Sequence, residues 1–228
     1  MAKYHHCKDE PLHALYNNVE KLFPDLFMLF FLLHIHAYFW ILFDNAITKH
    51  LMTYRRTGCL LSRDLDSSLV AVTLVKQLRE AQTFAIGMED SPNSLDARRV
   101  ANHIGSEHHE VFFNSEEGIQ VLDEVLFSLE TYDITTVHAS VDRYLIPKYI
   151  CKNTDSMVTF SGKGSDELTQ DQTTAAHSLE LTVPFLDHQF TSYYLSLPPE
   201  MRIPENGIEK HLRDIFEDSD LILKEILW

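Results

Sequence analysis

Apolar and polar positions follow two rhythms along this chain. From Gly58 a short apolar run, Cys59-Leu60-Leu61, reads as a buried strand. A polar turn over 62–68 follows, and then Leu69, Val70, Val72, Leu74, Val75 and Leu78 recur at helical spacing. The same succession repeats downstream. Thr83 to Gly87, Glu110 to Phe113 and Val158 to Phe160 read as further buried strands. Between them, helical spacing predicts helices over 94–105, 116–129 and 141–151, the last with Pro147 as a kink, and a final helix over 208–216. Strands alternating with helices predict an α/β domain, a parallel sheet flanked by helices and joined by right-handed crossovers. Sites in such sheets lie at the carboxyl ends of strands, and turns 62–67 and 161–167 are both such ends.

The Gly58–Leu78 stretch has the geometry of a phosphate site. The first N–H groups of a helix lack backbone partners and the helix dipole is positive there. Ser67 or Ser68 reads as the N-cap. Backbone wrapped around a phosphate usually needs glycine, which alone tolerates positive φ and close approach, yet this turn carries Arg63 and Asp64.

Upstream, residues 1–24 are polar with scattered apolar positions and read as linker. His5-His6-Cys7 are adjacent, have no companion cluster at zinc spacing, and do not read as a metal site. Residues 25–57 form an apolar helix and its connection. Within them Leu26 to Phe43 lacks any Asp, Glu, Lys or Arg, at a length near the lower limit for crossing a bilayer. Three readings compete for it: an over-apolar helix packed on the domain, a membrane-associated helix, or an aggregating scar. Residues 58–228 form the main domain.

The chain has 228 residues, 45% of them hydrophobic, enough for one core of domain size. A formal charge of −15 argues against a nucleic-acid partner. Three scattered cysteines, Cys7, Cys59 and Cys151, favour a reducing compartment and a cytoplasmic location over a disulfide framework.

The turn SRDLDSS resembles SGGLDSS, the pyrophosphate loop of the ATP pyrophosphatase superfamily. TFAIGMEDSP (83–92), SLETYDITT (128–136), FSGKGSDELTQ (160–170), LELTVPFLDH (179–188) and LPPEMRIPENGIEKHLRD (197–214) resemble the synthetase domain of glutamine-hydrolysing asparagine synthetases, as does KYHHCKDEPLHALYNNVEKLFP at the start. The resemblance covers nearly the whole chain outside 25–40. It implies an adenine nucleotide alpha hydrolase-like fold, with ATP, Mg²⁺ and aspartate as partners. The implied reaction, that of an asparagine synthase-type ligase, is ATP-dependent amidation of aspartate through a β-aspartyl-AMP intermediate.

Carried over residue by residue, the resemblance implies nucleotide contacts from Leu60, Ile86, Ser161 and Gly162, phosphate contacts from Ser62, Ser67 and Ser68, and Mg²⁺–pyrophosphate ligation by Asp66 and Asp166. Leu60 and Ile86 are also readable simply as core strand residues. The departures point the other way. Asp64 sets a carboxylate where phosphate should meet backbone, which at ~4 Å costs roughly 1–4 kcal/mol per unit of phosphate charge. Lys163 replaces the family's glutamate in SGEGSDE, and Thr182 stands where LELRVPFLD has arginine. The family's helical stretch between Gln170 and Asp171 is expected to be missing here. So is a later lysine, and so is the glutaminase half with its cysteine after the initiator Met, leaving free ammonia as nitrogen donor. The expectation is therefore an asparagine synthetase-like protein with a degraded active site. The alternatives are a non-catalytic binding protein associating with a full-length synthetase, or an unstable fragment.

Overall fold

The computed structural model describes residues 24–51, 56–78, 80–89, 91–162 and 173–197, with side chains in the first helix described from His34 onward. The chain divides into two compact units, residues 1–41 and 42–228. The first unit contributes the beginning of α1 (Pro24–His50), and the second carries everything that follows.

Among the described residues five parallel strands form the sheet: β1 (Arg56–Leu60), β2 (Gln82–Gly87), β3 (Glu107–Phe112), β4 (Ser156–Phe160) and β5 (Glu180–Thr182). Their spatial order is β3-β2-β1-β4-β5, so the order reverses between β1 and β4. Cys59 of β1 pairs with Thr83 on one side and with Phe160 on the other. The expected parallel α/β architecture is therefore present, with one strand more than the sequence pattern predicts.

After β1 the chain enters α2 (Leu65–Gln77), which is buried without interruption from Ser67 through Leu74. Its N-cap is Asp64, not Ser67 or Ser68 as the sequence suggests. The two serines lie inside the first turn, and both hydroxyls donate back to the Asp64 carbonyl at 3.0 Å. Serine hydroxyls compete for nearby backbone as readily within the first turn as at the cap, so residue type alone does not separate the positions.

Helix α3 (Pro92–Ile104) is framed by local chemistry. Ser91 accepts from the Ser94 N–H, Pro92 opens the helix, and Gly105 closes it at φ +71°. The predicted single helix over 116–129 is two, α4 (Ser115–Gln120) and α5 (Leu122–Leu129). Asn114 and Glu117 form a reciprocal capping box that starts α4. The break falls at Val121, which is buried with Val125, Leu129 and Tyr144. Gly118 and β-branched Ile119 and Val121 weaken the helix there, and burial of Val121 decides the turn. A short helix α6 (Ile134–His138) precedes α7 (Val141–Asn153), whose Ile146 and Ile150 pack with Phe84 and Leu179 in the main cluster. Each such side chain fully removed from water contributes about 1.5–3 kcal/mol. A 3-10 turn (Pro184–Leu186) leads into α8 (His188–Ser196), capped by Asp187.

Residues 42–50 of α1 belong to the second unit and are fixed within it. The Phe43 and Phe185 rings lie 4.8 Å apart between centroids, Gln77 donates to Asp44 at 2.7 Å, and Lys49 pairs with Asp187 at 3.0 Å. Among the described residues no helix is long and apolar enough to cross a membrane. The side chains of 26–33, which carry much of the apolar run, lie outside the described residues, as do the predicted helix at 208–216 and all of the predicted linker at 1–24 but Pro24, which opens α1.

Candidate functional site

A cavity of about 180 Å³ opens at the reversal point of the sheet, where β1 and β4 end side by side. Leu60, Ser62, Ser67, Ile86, Ser161 and Gly162, six of the residues singled out from the sequence, all line it. Phe84 and Ile146 complete an apolar wall, and Asp64, Asn93, Asp142 and Arg143 supply the rest of its polar lining. Ser68 does not face it; that side chain is fully buried and bonded within α2. Asp66 sits half-buried in the first turn of α2 and is not part of the lining. Lys163 and Asp166 lie outside the described residues.

The turn between β1 and α2 closes on itself. The Ser62 N–H donates to the Ser67 hydroxyl at 3.1 Å, and the Ser62 hydroxyl donates to the Asp64 carboxylate at 3.2 Å. Arg63 turns away from the cavity to Asp96 of α3 at 3.3 Å. The Arg63 guanidinium, a candidate to offset the Asp64 charge at a phosphate, is thus already engaged by Asp96. Asp64 itself has φ −73° and ψ 149°. Among the described residues only Glu130 and Ser178 are non-glycine residues at positive φ, so the turn has settled into ordinary backbone.

Gly162 closes the other side. A Cβ there would collide with the Ser67 backbone nitrogen and lie 2.6 Å from the Asp66 carbonyl carbon. Here glycine is required by approach of backbone to backbone: the end of β4 rests directly on the first turn of α2.

The fit to a nucleoside triphosphate is divided. Leu60, Phe84, Ile86 and Ile146 form the kind of apolar wall a nucleobase needs. The phosphate end does not fit. A carboxylate lines it, Gly162 packs closely against the Ser67 backbone, and the volume falls below the roughly 300–1,000 Å³ of small-molecule sites. Cys59, on β1 beneath the cavity, is fully buried and burial pushes its thiol well above the ordinary range, so it is not a nucleophile.

Sequence reasoning missed Asp142 and Arg143. Arg143 is 9% exposed, on the first turn of α7, and Asp142 accepts from the Arg143 N–H at 2.8 Å. Buried arginine is uncommon, and its signal was a charged pair set into the apolar row Val141, Leu145, Ile146.

A parallel sheet whose strand order reverses over a cavity lined by a serine-bearing strand–turn–helix is the framework of a nucleotide-site domain. Comparison with known proteins gives the family. The asparagine synthase family model matches residues 40–170 and 168–228, and the chain belongs to that family. Glutamine-hydrolysing asparagine synthetases from Bos taurus and Homo sapiens are each 64% identical to it, and that of Gallus gallus 56%; each alignment covers 100% of this chain and 47% of the relative. The chain thus spans about half the length of the curated relatives it matches. The alignment runs over 268 positions against 228 residues here, and the family match comes in two pieces that meet at 168–170, where Gln170 passes directly to Asp171. Among solved structures, the NH3-dependent NAD synthetase of Campylobacter jejuni superposes with a TM-score of 0.41 at 18% identity, over 60% of this chain and 58% of that one. A likeness at that level carries no argument about function.

Proposed function

We propose that this chain is an asparagine synthetase-like domain in which the family reaction, ATP-dependent amidation of aspartate to asparagine, is impaired or lost. The observation that carries this reading is the Asp64 carboxylate at the cavity wall, beside the helix N-terminus that would receive phosphate. An anionic side chain there opposes an anionic ligand at short range. Lys163, at the family's glutamate position, adds a second charge reversal by resemblance, since a cation cannot accept a proton or hydrogen bond in that carboxylate's place. Mg²⁺ ligation by Asp66 and Asp166 belongs to the same reading.

The test is pyrophosphate release from purified protein given ATP, Mg²⁺, aspartate and ammonia. No release above background is expected. Restoration of Arg63→Gly, Asp64→Gly and Lys163→Glu together is expected to recover a measurable rate if the shortened segment near 170 is dispensable. Turnover by the unaltered protein refutes the reading.

A second reading, a non-catalytic protein that associates with a full-length synthetase, is favoured by a broad apolar groove next to the cavity. Sedimentation of the chain mixed with the full-length bovine enzyme tests it, with co-sedimentation expected.

A further inference from the structure

Alongside the cavity, sharing Ile86, Asn93 and Asp142 with it, runs an open groove of about 860 Å³. Phe113, Leu122, Leu126 and Val137 line its apolar interior. Other lining residues stand in solvent: Ile119 is 67% exposed, Tyr132 88% and Ile134 83%. Phe127, next to the lining residue Leu126, is 85% exposed. Clustered large apolar side chains at this exposure mark an interaction surface on a folded domain.

These residues are held outward by the fold. The capping box of Asn114 and Glu117 fixes α4. The Asp133 carboxylate accepts from the Thr136 N–H at 2.8 Å and hydroxyl at 2.7 Å and fixes α6. Helix α5 packs inward through Val125 and Leu129, and the adjoining Leu122 and Leu126, only partly buried, carry the same apolar stripe out into the groove. The groove-side edge of that stripe is left for a partner.

Charge selects among occupants. From Ser115 to Asp142, the segment that builds most of the groove, there are seven carboxylates and no lysine or arginine. Glu116, Asp123 and Asp133 are exposed and adjoin lining residues in the chain, and exposed Glu130 stands two residues before Tyr132. A second copy of a chain with net charge −15 would bring acid against acid, and an anionic lipid surface would be repelled in the same way. An apolar cleft bordered by carboxylates complements a helix with one apolar face and lysines or arginines flanking it.

We infer that this groove is a docking site for a basic amphipathic helix of a partner protein. It seats the partner's apolar residues at i, i+3, i+4 and i+7 on Leu122, Leu126, Ile119 and Ile134, with the acidic rim taking up the cationic flanks. The inference gives a chemistry to the partner in the second reading above. It stands without that reading, because a cationic helix from any source satisfies it.

The test uses a fluorescent peptide of about eighteen residues, roughly five helical turns, built of leucine and lysine with leucines on one face. Its control has the same composition scrambled so that no face forms. Anisotropy titration against the full chain is expected to show micromolar binding, with the scrambled peptide about tenfold weaker. Ile119→Ser with Ile134→Ser is expected to weaken binding about tenfold, and Tyr132→Ser alone to weaken it measurably while leaving the melting midpoint unchanged. Glu116→Gln, Asp123→Asn and Glu130→Gln together are expected to flatten the salt dependence. Equal binding of the scrambled peptide, no binding at about 100 μM, or a self-associated form that the peptide does not displace would each overturn the inference. Peptide binding without binding of the full-length synthetase would refute the second reading alone.

Discussion

Removing the Asp64 charge separates two causes of weak phosphate binding, repulsion and backbone shape. Asp64→Asn deletes the charge and keeps a residue that favours the cap position. Asp64 makes no side-chain cap hydrogen bond, and an Asn side-chain oxygen can still accept from the Ser62 hydroxyl, so the main loss to the fold is the interaction with the helix dipole, about 0.3–1 kcal/mol. The carboxylate is exposed, so the high-dielectric end of the Coulomb range applies: about 1 kcal/mol at ~4 Å for each unit of phosphate charge. With one to two such charges within reach, ATP binding is expected to tighten about tenfold to thirtyfold. Thermal melting across an ATP–Mg²⁺ series reads this directly. At saturating ligand a tenfold gain in affinity adds about 1.4 kcal/mol of apparent stability, or about 3–6 °C in the midpoint for a chain of this size. Asp64→Gly with Arg63→Gly is expected to gain more, because the turn then regains access to positive φ. Two results would refute the reasoning: firm micromolar ATP binding by the unaltered protein, or an Asp64→Asn midpoint no more responsive to ATP than before.

Two other expectations concern stability. Gly162→Ala drives a methyl into the backbone of Asp66 and Ser67, which cannot rotate away; a loss of about 1–3 kcal/mol is expected by urea titration, and an unchanged midpoint would show that β4 does not rest on α2. On acidification, His108 and His177 govern the first change. Burial holds both imidazoles below their ordinary range: His108 shares a hydrogen bond with Thr83 Oγ1 over 2.9 Å, and His177 sits 4.5 Å from the Tyr144 ring. The unfolded chain therefore binds more protons below about pH 6.5, so stability is complete above that pH and declines as pH falls through the folded values. Glu110, held low chiefly by its hydrogen bonds to Arg98, and Glu124, held low chiefly by Lys148, add their loss only below the ordinary carboxylate range. The melting midpoint is expected to fall between pH 7.5 and 5.5, less so in His108→Gln; a flat profile would contradict this.

Much of the sheet was legible because its inner strands are short apolar runs that no helix period competes with. Cys59, Phe84-Ala85, Val158 and Phe160 are buried as read. The edges were legible only in part: β3 reads as a strand only from Glu110, and β5 does not read as one. β3 begins at Glu107, and its Glu-His-His-Glu start is satisfied by individual partners, Arg98 for Glu110 and the Phe84 ring for His109, where a simple apolar alternation was sought. β5 is three residues long, and its tie to β4 is backbone pairing, which leaves no mark in composition. At the cavity, six residues could be named because they stand at strand ends or in the turn and first helical turn after β1, within recognisable motifs. Ser68 points elsewhere because helix phase, not residue type, turns its hydroxyl back onto the Asp64 carbonyl. Arg143 was missed because it reaches the cavity from a helix far along the chain, and only tertiary structure brings it there.

The preserved fold and the altered turn are compatible because they rest on different atoms. The sheet needs β1, β2 and β4 in register and Gly162 against Ser67, and it has both. The first turn of α2 is secured by hydroxyls of Ser67 and Ser68 on the Asp64 carbonyl, a bond that any residue at position 64 can accept. Nothing in that set calls for glycine at 63 or 64, since the turn runs at negative φ. Glycine at those positions serves a ligand that must be approached by bare backbone, and its replacement removes that approach without loosening the core. On the proposed reading, a substitution of this kind leaves folding untouched and weakens phosphate binding, so restoring the turn is expected to change affinity far more than stability.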